Sequence, residues 1–180
     1  MTAGEREKAV EEMRNYFRRS TDRSEQRISH TLEVLTNADR ILEGEGITSA
    51  FETDVAALAA LFHDIGIPEA ERKYQSAEAK YQHMEGPPIT REILSRIGTR
   101  PDILERACFI VGHHHEKAAI DGREFQAVYE ADFIVNSIES ISQNAERPDL
   151  VQLRLSYDGQ LRTRTSIGIL EEFMQANFAD

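Results

Sequence analysis

The sequence predicts an all-α fold, and three observations carry that expectation. Apolar residues recur at helical spacing in most segments, as Val10, Met13 and Phe17 do near the start. The run VAALAALF from Val55 to Phe62 is apolar all round, the pattern of a helix at the centre of a core. Prolines and glycines fall where helices would start and stop, in quick succession along the chain. One stretch, VQLRLSY at 151–157, alternates like a short strand in the tail, which leaves the fold class unchanged.

The elements follow in order. After the first helix, Ser20-Thr21-Asp22 or Ser24 marks the start of a second that carries Ile28, Leu32, Leu35 and Leu42 and ends near Gly44 or Gly46. Thr53 or Asp54 can cap the third, which stops at HDIGIP because Gly66 and Pro68 do not readily continue it. Pro87-Pro88 can open a helix through ITREILSRI that closes at Gly98, and Pro101 can open the next, DILERACFIV, which leads into three consecutive histidines. A polar loop, EKAAIDGRE, precedes the longer helix FQAVYEADFIVNSIESI, and SIGILEEFMQANF reads as a terminal helix.

A chain of 180 residues, 40% of them hydrophobic, can bury one sizeable core and is short for two. One domain over 1–180 is expected, with a motif-bearing part at about 24–145 and a helical extension at 146–180. Twenty-one basic against thirty-two acidic residues give a net charge of -11, which opposes sequence-independent binding to nucleic acid or to an anionic membrane. No run approaches the roughly 18 apolar residues of a membrane span, and the charged start MTAGEREKAVEEM does not resemble a secretory signal, so a cytoplasmic protein is expected. The lone Cys108 lies in an apolar segment and reads as a buried structural thiol. An anionic substrate would have to be drawn in locally, by a metal ion or by converging Lys and Arg side chains.

The six histidines and two aspartates suggest where. His30 shares a helical face with Val34 and Ile41, with Arg27 one turn before it, so the ring borders the core. His63 and Asp64 end the most apolar helix. Asp132 shares its face with Phe125, Val128, Tyr129 and Val135, which buries a carboxylate that then needs a cation, a hydrogen-bonding partner or a proton. His114 lies one turn beyond Ile110 and Val111, whereas His113 and His115 splay about 100° to either side, so only one or two of the three face a common site. His83, just before a predicted helix start, could reach the same place from a loop. Each feature alone has a plainer explanation: a hydrogen-bonded core histidine, imidazoles meeting a helix dipole, or an Asp–Arg pair. The order His, His-Asp, His, His-His-His, Asp along helices is what carries weight, because it uses every histidine in the chain.

These residues resemble the HD superfamily of metal-dependent phosphohydrolases, an all-helical fold with the His-Asp doublet on a central buried helix. RISHTLEVLTNADRIL resembles the helix of the first ligand, AALAALFHDIG the doublet helix and EADFIVN the helix of the last ligand, over about Arg27 to Asn136. The resemblance implies that His30, His63, Asp64 and Asp132 hold one ion. Members with two further histidines hold a second, with the doublet Asp bridging; His83 in HMEGPPITREIL and His114 in IVGHHHE resemble those positions. His115 and Glu116 resemble the His-His-Glu of a cyclic-dinucleotide-hydrolysing branch, but Gln26, Ile67 and the segment Gly122-Arg123-Glu124-Phe125 depart from its pattern, so neither that activity nor a third ion is expected.

The implied cofactor is one or two divalent ions. Imidazole and carboxylate donors without thiolate suit Fe, Mn, Co, Ni or Zn, with Mg possible, and the resemblance favours Fe or Mn. The implied reaction is hydrolysis of a phosphate ester or anhydride of a nucleotide or other small phosphorylated compound, with Asp64, His115 and Arg27 as the catalytic group. His115 or His113 would serve the leaving oxygen. Arg27, Lys73, Lys117 and Arg123, and also Lys80, are the cations near enough in sequence to hold phosphate, while Glu85, Glu116 and Asp121 could orient ligand histidines. A non-catalytic metal-containing module that binds a nucleotide or a partner, and a di-iron oxygenase, are the other readings of the same residues.

Overall fold

Helix α1 (Ala3–Ser20) starts at Thr2, where the Thr2 hydroxyl accepts from the Glu5 amide and the Glu5 carboxylate accepts from the Thr2 amide, satisfying two exposed backbone donors. It opens a computed structural model that describes residues 1–143, 157 and 159–178. The helices that follow among the described residues are α2 (Ser24–Gly44), α3 (Ala50–Phe62), α4 (Ile67–Tyr74), α5 (Ala79–Arg96), α6 (Pro101–Val111), α7 (Arg123–Gln143) and α8 (Arg164–Phe178), with a 3-10 turn at Lys117–Ala119. Among the described residues there is no strand, and the fold is all-α. The alternating VQLRLS at 151–156 lies outside them. No helix of the described residues is long and apolar enough to cross a membrane.

Every residue of α3 from Val55 to Phe62 is buried, because α1, α2, α6 and α7 all pack around it. An octet without a polar face has no other stable position, and its C-terminal end delivers the His-Asp doublet into the interior. Ser49, and not Thr53 or Asp54, caps this helix: its hydroxyl accepts from the Glu52 amide at 3.5 Å, so both expected caps lie inside the helix.

A larger correction concerns Pro87-Pro88. They do not open a helix but lie within α5, which begins eight residues earlier at Ala79. Neither proline can donate to the carbonyl four residues before it, those of His83 and Met84, so α5 runs on without two of its bonds. The same stretch is contacted from α6, whose Cys108 thiol donates to the Pro87 carbonyl at 3.6 Å. Burial pushes that thiol up to about 11, as suits a structural cysteine.

Two glycines set how closely α5 approaches the doublet. A Cβ on Gly66 would lie 2.6 Å from both the Gln82 carbonyl oxygen and the Gly86 amide nitrogen. A Cβ on Gly86 would lie 2.8 Å from a Val111 methyl. The turn after His63-Asp64, the middle of α5 and the end of α6 therefore stack at backbone distance, which only residues without a side chain allow.

Candidate metal centre

Five segments converge on one interior point. The ring of His30 comes from α2, His63 and Asp64 from the end of α3, His83 from α5, His114 and His115 from the turn after α6, and Asp132 from α7. Donor atoms of His30, His63 and Asp132 lie within 4.8 Å of one another, and so do those of His83, His114 and His115. The two carboxylates join these triads. Asp64 has Oδ2 at 3.5 Å from His63 Nε2 and 3.8 Å from His30 Nε2, and Oδ1 at 3.6 Å from His114 Nε2. Asp132 has Oδ1 at 3.3 Å from His30 Nε2 and 3.5 Å from His63 Nε2, and Oδ2 at 3.9 Å from His115 Nε2.

The rings are held so that their Nε2 atoms face inward. His63 Nδ1 donates to the Ala60 carbonyl and His114 Nδ1 to the Val111 carbonyl, each at 2.8 Å, which fixes the tautomer and leaves the Nε2 lone pair free. Glu139 accepts from His30 Nδ1 at 3.1 Å, and Glu116 lies 3.3 Å from His83 Nδ1. Asn136 donates to Asp132 Oδ1 at 2.7 Å. Sequence reasoning anticipated Glu116 but missed Asn136 and Glu139. Their signal was available, because positions 132, 136 and 139 share one face of α7.

His83 comes from the body of α5 and not from a loop, and its side chain is only 12% exposed. The triple histidine lies just past the end of α6, since the helix stops at Gly112. His114 is buried there. His113 is turned away: its Nδ1 donates to the Phe109 carbonyl at 2.8 Å and its ring stacks on Phe109 with centroids 4.5 Å apart.

Burial opposes charge on His63, but Asp64 and Asp132 overcome it and lift the imidazole to about 9. Burial likewise opposes charge on His30, and Asp132 and Asp64 raise it. Burial alone would raise both aspartates; the surrounding imidazoles, His63 foremost for Asp64 and His30 for Asp132, instead hold them below the usual carboxylate range. In the other triad burial dominates, pushing His115 down to about 4 and His83 downward, with His114 adding to both. The centre thus combines ionised carboxylates and a protonated His63 in one half with neutral His83 and His115 in the other. His83 Nε2 and His114 Nε2 are buried without a hydrogen-bond partner, a costly state that a cation would relieve. Donors of this kind, nitrogen and carboxylate oxygen without sulfur, fit a divalent metal.

The expected phosphate-holding cations divide. Arg27 pairs with Glu71 at 3.0 Å, keeps a buried Nε without a partner, and lines a cleft of about 180 Å³ with Arg23, His30 and Asp64. Lys117 follows the histidine turn directly, half-buried, and forms no ion pair among the described residues. Lys73 and Arg123 are not brought to the centre. Lys73 is drawn to Glu85 at 2.7 Å and Glu69 at 3.2 Å. Arg123 grips Glu52 with two bonds, near the start of α3 and about 16 Å along its axis from the doublet. Lys80 pairs with Glu78. Glu85 and Asp121 orient no histidine either, being engaged by Lys73 and Tyr74, and by Arg106.

An all-helical bundle whose inner helices converge histidines and aspartates on one buried point defines a class of metal-binding domains. Within that class the family model described as "HD domain" matches residues 27–153, and the chain belongs to the HD-domain family, part of the superfamily of metal-dependent phosphohydrolases. No curated protein and no solved structure matches the chain.

Proposed function

We propose that this chain is a phosphohydrolase that cleaves a phosphate ester or anhydride of a nucleotide or other small phosphorylated compound, at a centre of two divalent ions. The observation that carries the reading is the pair of three-donor groups joined by the two carboxylates of Asp64 and Asp132. In this assignment His30, His63, Asp64 and Asp132 hold one ion, and Asp64, His83 and His114 hold the other. When bound, such ions supply a water of lowered pKa and positive charge against phosphate oxygens.

The chain's own groups do the rest. Arg27 holds a phosphate oxygen from the cleft beside His30, and Lys117, without an ion pair among the described residues, is the second cation offered to the substrate. His115, whose side chain is 36% exposed, faces the leaving oxygen. Because burial keeps this ring neutral, it serves there by an N–H hydrogen bond and not as an imidazolium acid. Glu116 and Glu139 fix the rings of His83 and His30. The net charge of -11 favours a free small anion over nucleic acid as partner, acting in the cytoplasm.

Protein loaded with Mn(II) or Fe(II) and offered a panel of nucleoside monophosphates, nucleoside polyphosphates and sugar phosphates should release inorganic phosphate or pyrophosphate from at least one group, and Asp64→Asn should abolish the release. A metal-loaded protein that binds these compounds without turnover would replace the hydrolase with a binding module.

A further inference from the structure

Positive charge is spread unevenly along this acidic chain. Within residues 14–27 five arginines, Arg14, Arg18, Arg19, Arg23 and Arg27, are offset by only two acids, Asp22 and Glu25, in a protein of net charge -11. Most arginines of the described residues are held by a carboxylate, but Arg23 is exposed and forms no ion pair among these residues. It lines the cleft beside the metal-ligand cluster together with Gln26 and with Arg27, which lies one turn further along α2. The two carboxylates of that cleft are committed elsewhere: Asp64 to the imidazoles of the cluster, and Glu139 to His30 Nδ1 at 3.1 Å.

At about 180 Å³ the cleft is below the roughly 300–1,000 Å³ of sites that enclose a whole small molecule. It has room for a phosphate group and not for the organic part of a substrate. Its walls include His30 and Asp64, whereas His114, His115 and Asp132 line a different cavity, and among the described residues Asn136 alone borders both. The cluster is thus open on two fronts. A phosphate at the ions already has Arg27 as its cation in the assignment above. Arg23, one turn nearer the helix start, brings a second planar fork into the same small cleft, and such a fork is shaped to hold two oxygens of a phosphate.

We propose that Arg23 and Arg27 hold a second phosphate attached to the one that reacts, so that the two phosphates leave together as inorganic pyrophosphate. This rests on the hydrolase reading above and narrows it. The remote phosphate occupies the arginine cleft, and the leaving oxygen lies at His115 in the other cavity, so the bond between the two phosphates is not the one that breaks. Water oxygen bonds to the phosphorus at the ions, the P–O bond to the rest of the substrate breaks at His115, and that oxygen departs with a proton from the attacking water. A diphosphate ester gives its alcohol and pyrophosphate, and a triphosphate gives a monophosphate and pyrophosphate.

The test compares ADP with AMP on wild type, Arg23→Gln and Arg23→Lys, with Mn(II) in excess of nucleotide and products read by phosphorus NMR. Wild type should prefer ADP by about tenfold or more in kcat/KM and convert it to adenosine and pyrophosphate. Arg23→Gln should lower the ratio of ADP to AMP kcat/KM about tenfold, mainly through KM, and Arg23→Lys should keep part of it. Neither variant should lower the melting temperature, since Arg23 is exposed and holds no carboxylate among the described residues. AMP and orthophosphate as the products from ADP, equal use of ADP and AMP, or a ratio unmoved by Arg23→Gln would overturn the proposal. Should neither nucleotide be cleaved, the failure belongs to the hydrolase reading, and phenylglyoxal labelling of Arg23 in the Mn(II)-loaded protein, read by peptide mass spectrometry, decides the cleft separately. Slower labelling with ADP than with AMP would support it, and equal labelling would overturn it.

Discussion

Glu130 and Asp132 lie two residues apart on α7, on opposite faces, and both carboxylates are buried. Glu130 is surrounded by neutral donors: the Gln126 amide, the Thr163 and Ser166 hydroxyls, and the backbone amides of Arg162 and Thr163. It ties the start of α8 to α7, and its charge is fully answered by hydrogen bonds. Asp132 has one neutral donor, Asn136, and otherwise faces the Nε2 atoms of His30, His63 and His115. A buried carboxylate is therefore not in itself a sign of chemistry. What distinguishes the second is that its neighbours are themselves metal-binding groups turned toward the same point.

The comparison is broken most directly by removing each carboxylate. Glu130→Ala should cost about 3 kcal/mol or more in urea unfolding, and lower Tm by roughly 6–12 °C, because several buried donors lose their acceptor at once. Metal content and turnover per folded molecule should be unchanged. Asp132→Asn should do the reverse: bound metal falls toward none and phosphate release is lost, while the metal-free protein unfolds much closer to wild type.

Gly66→Ala should act on both fold and centre. Its methyl would strike the α5 backbone near Gln82 and Gly86, costing about 1–3 kcal/mol, and by displacing α5 it should weaken metal binding at His83 more than at His30. Glu139→Gln touches only the orientation of His30, and should lower metal affinity about 10- to 100-fold with little change in metal-free stability. The smallest effect is that of pH. His63 is lifted from 6.5 to about 9 in the metal-free fold, so its ion pairing stabilises fully below about pH 6.5 and is lost as pH rises through about 9. Metal must displace that proton, so affinity should climb over the same window, with proton release seen by calorimetry in buffers of different ionisation enthalpy.

Much of this was legible before any coordinates. The all-round apolar octet fixed α3 as the central helix, and the doublet at its end had to begin inside the protein. Asp132 declared itself by its apolar neighbours, and His114 by its apolar lead-in. Local rules failed at α5, where tertiary packing on the Gly66 turn and α6 outweighs the two bonds lost at Pro87 and Pro88, and the loop expected to carry His83 is helix. Lys73 and Arg123 were misplaced for another reason: a cation's partner depends on which acid the fold brings near it, and Glu85 and Glu52 are 12 and 71 residues away in sequence. Glu130 had no sequence signal of its own, because its partners are mostly beyond residue 160.

The central claim is that two ions share the carboxylates between the two histidine groups. Elemental analysis of untagged protein, purified without added metal, tests it on wild type, His114→Ala and Asp132→Asn. About two equivalents in wild type, falling toward one in His114→Ala and toward none in Asp132→Asn, is the predicted result. One equivalent in wild type, unchanged in His114→Ala, would contradict it and leave only His30, His63, Asp64 and Asp132 as a single-ion site.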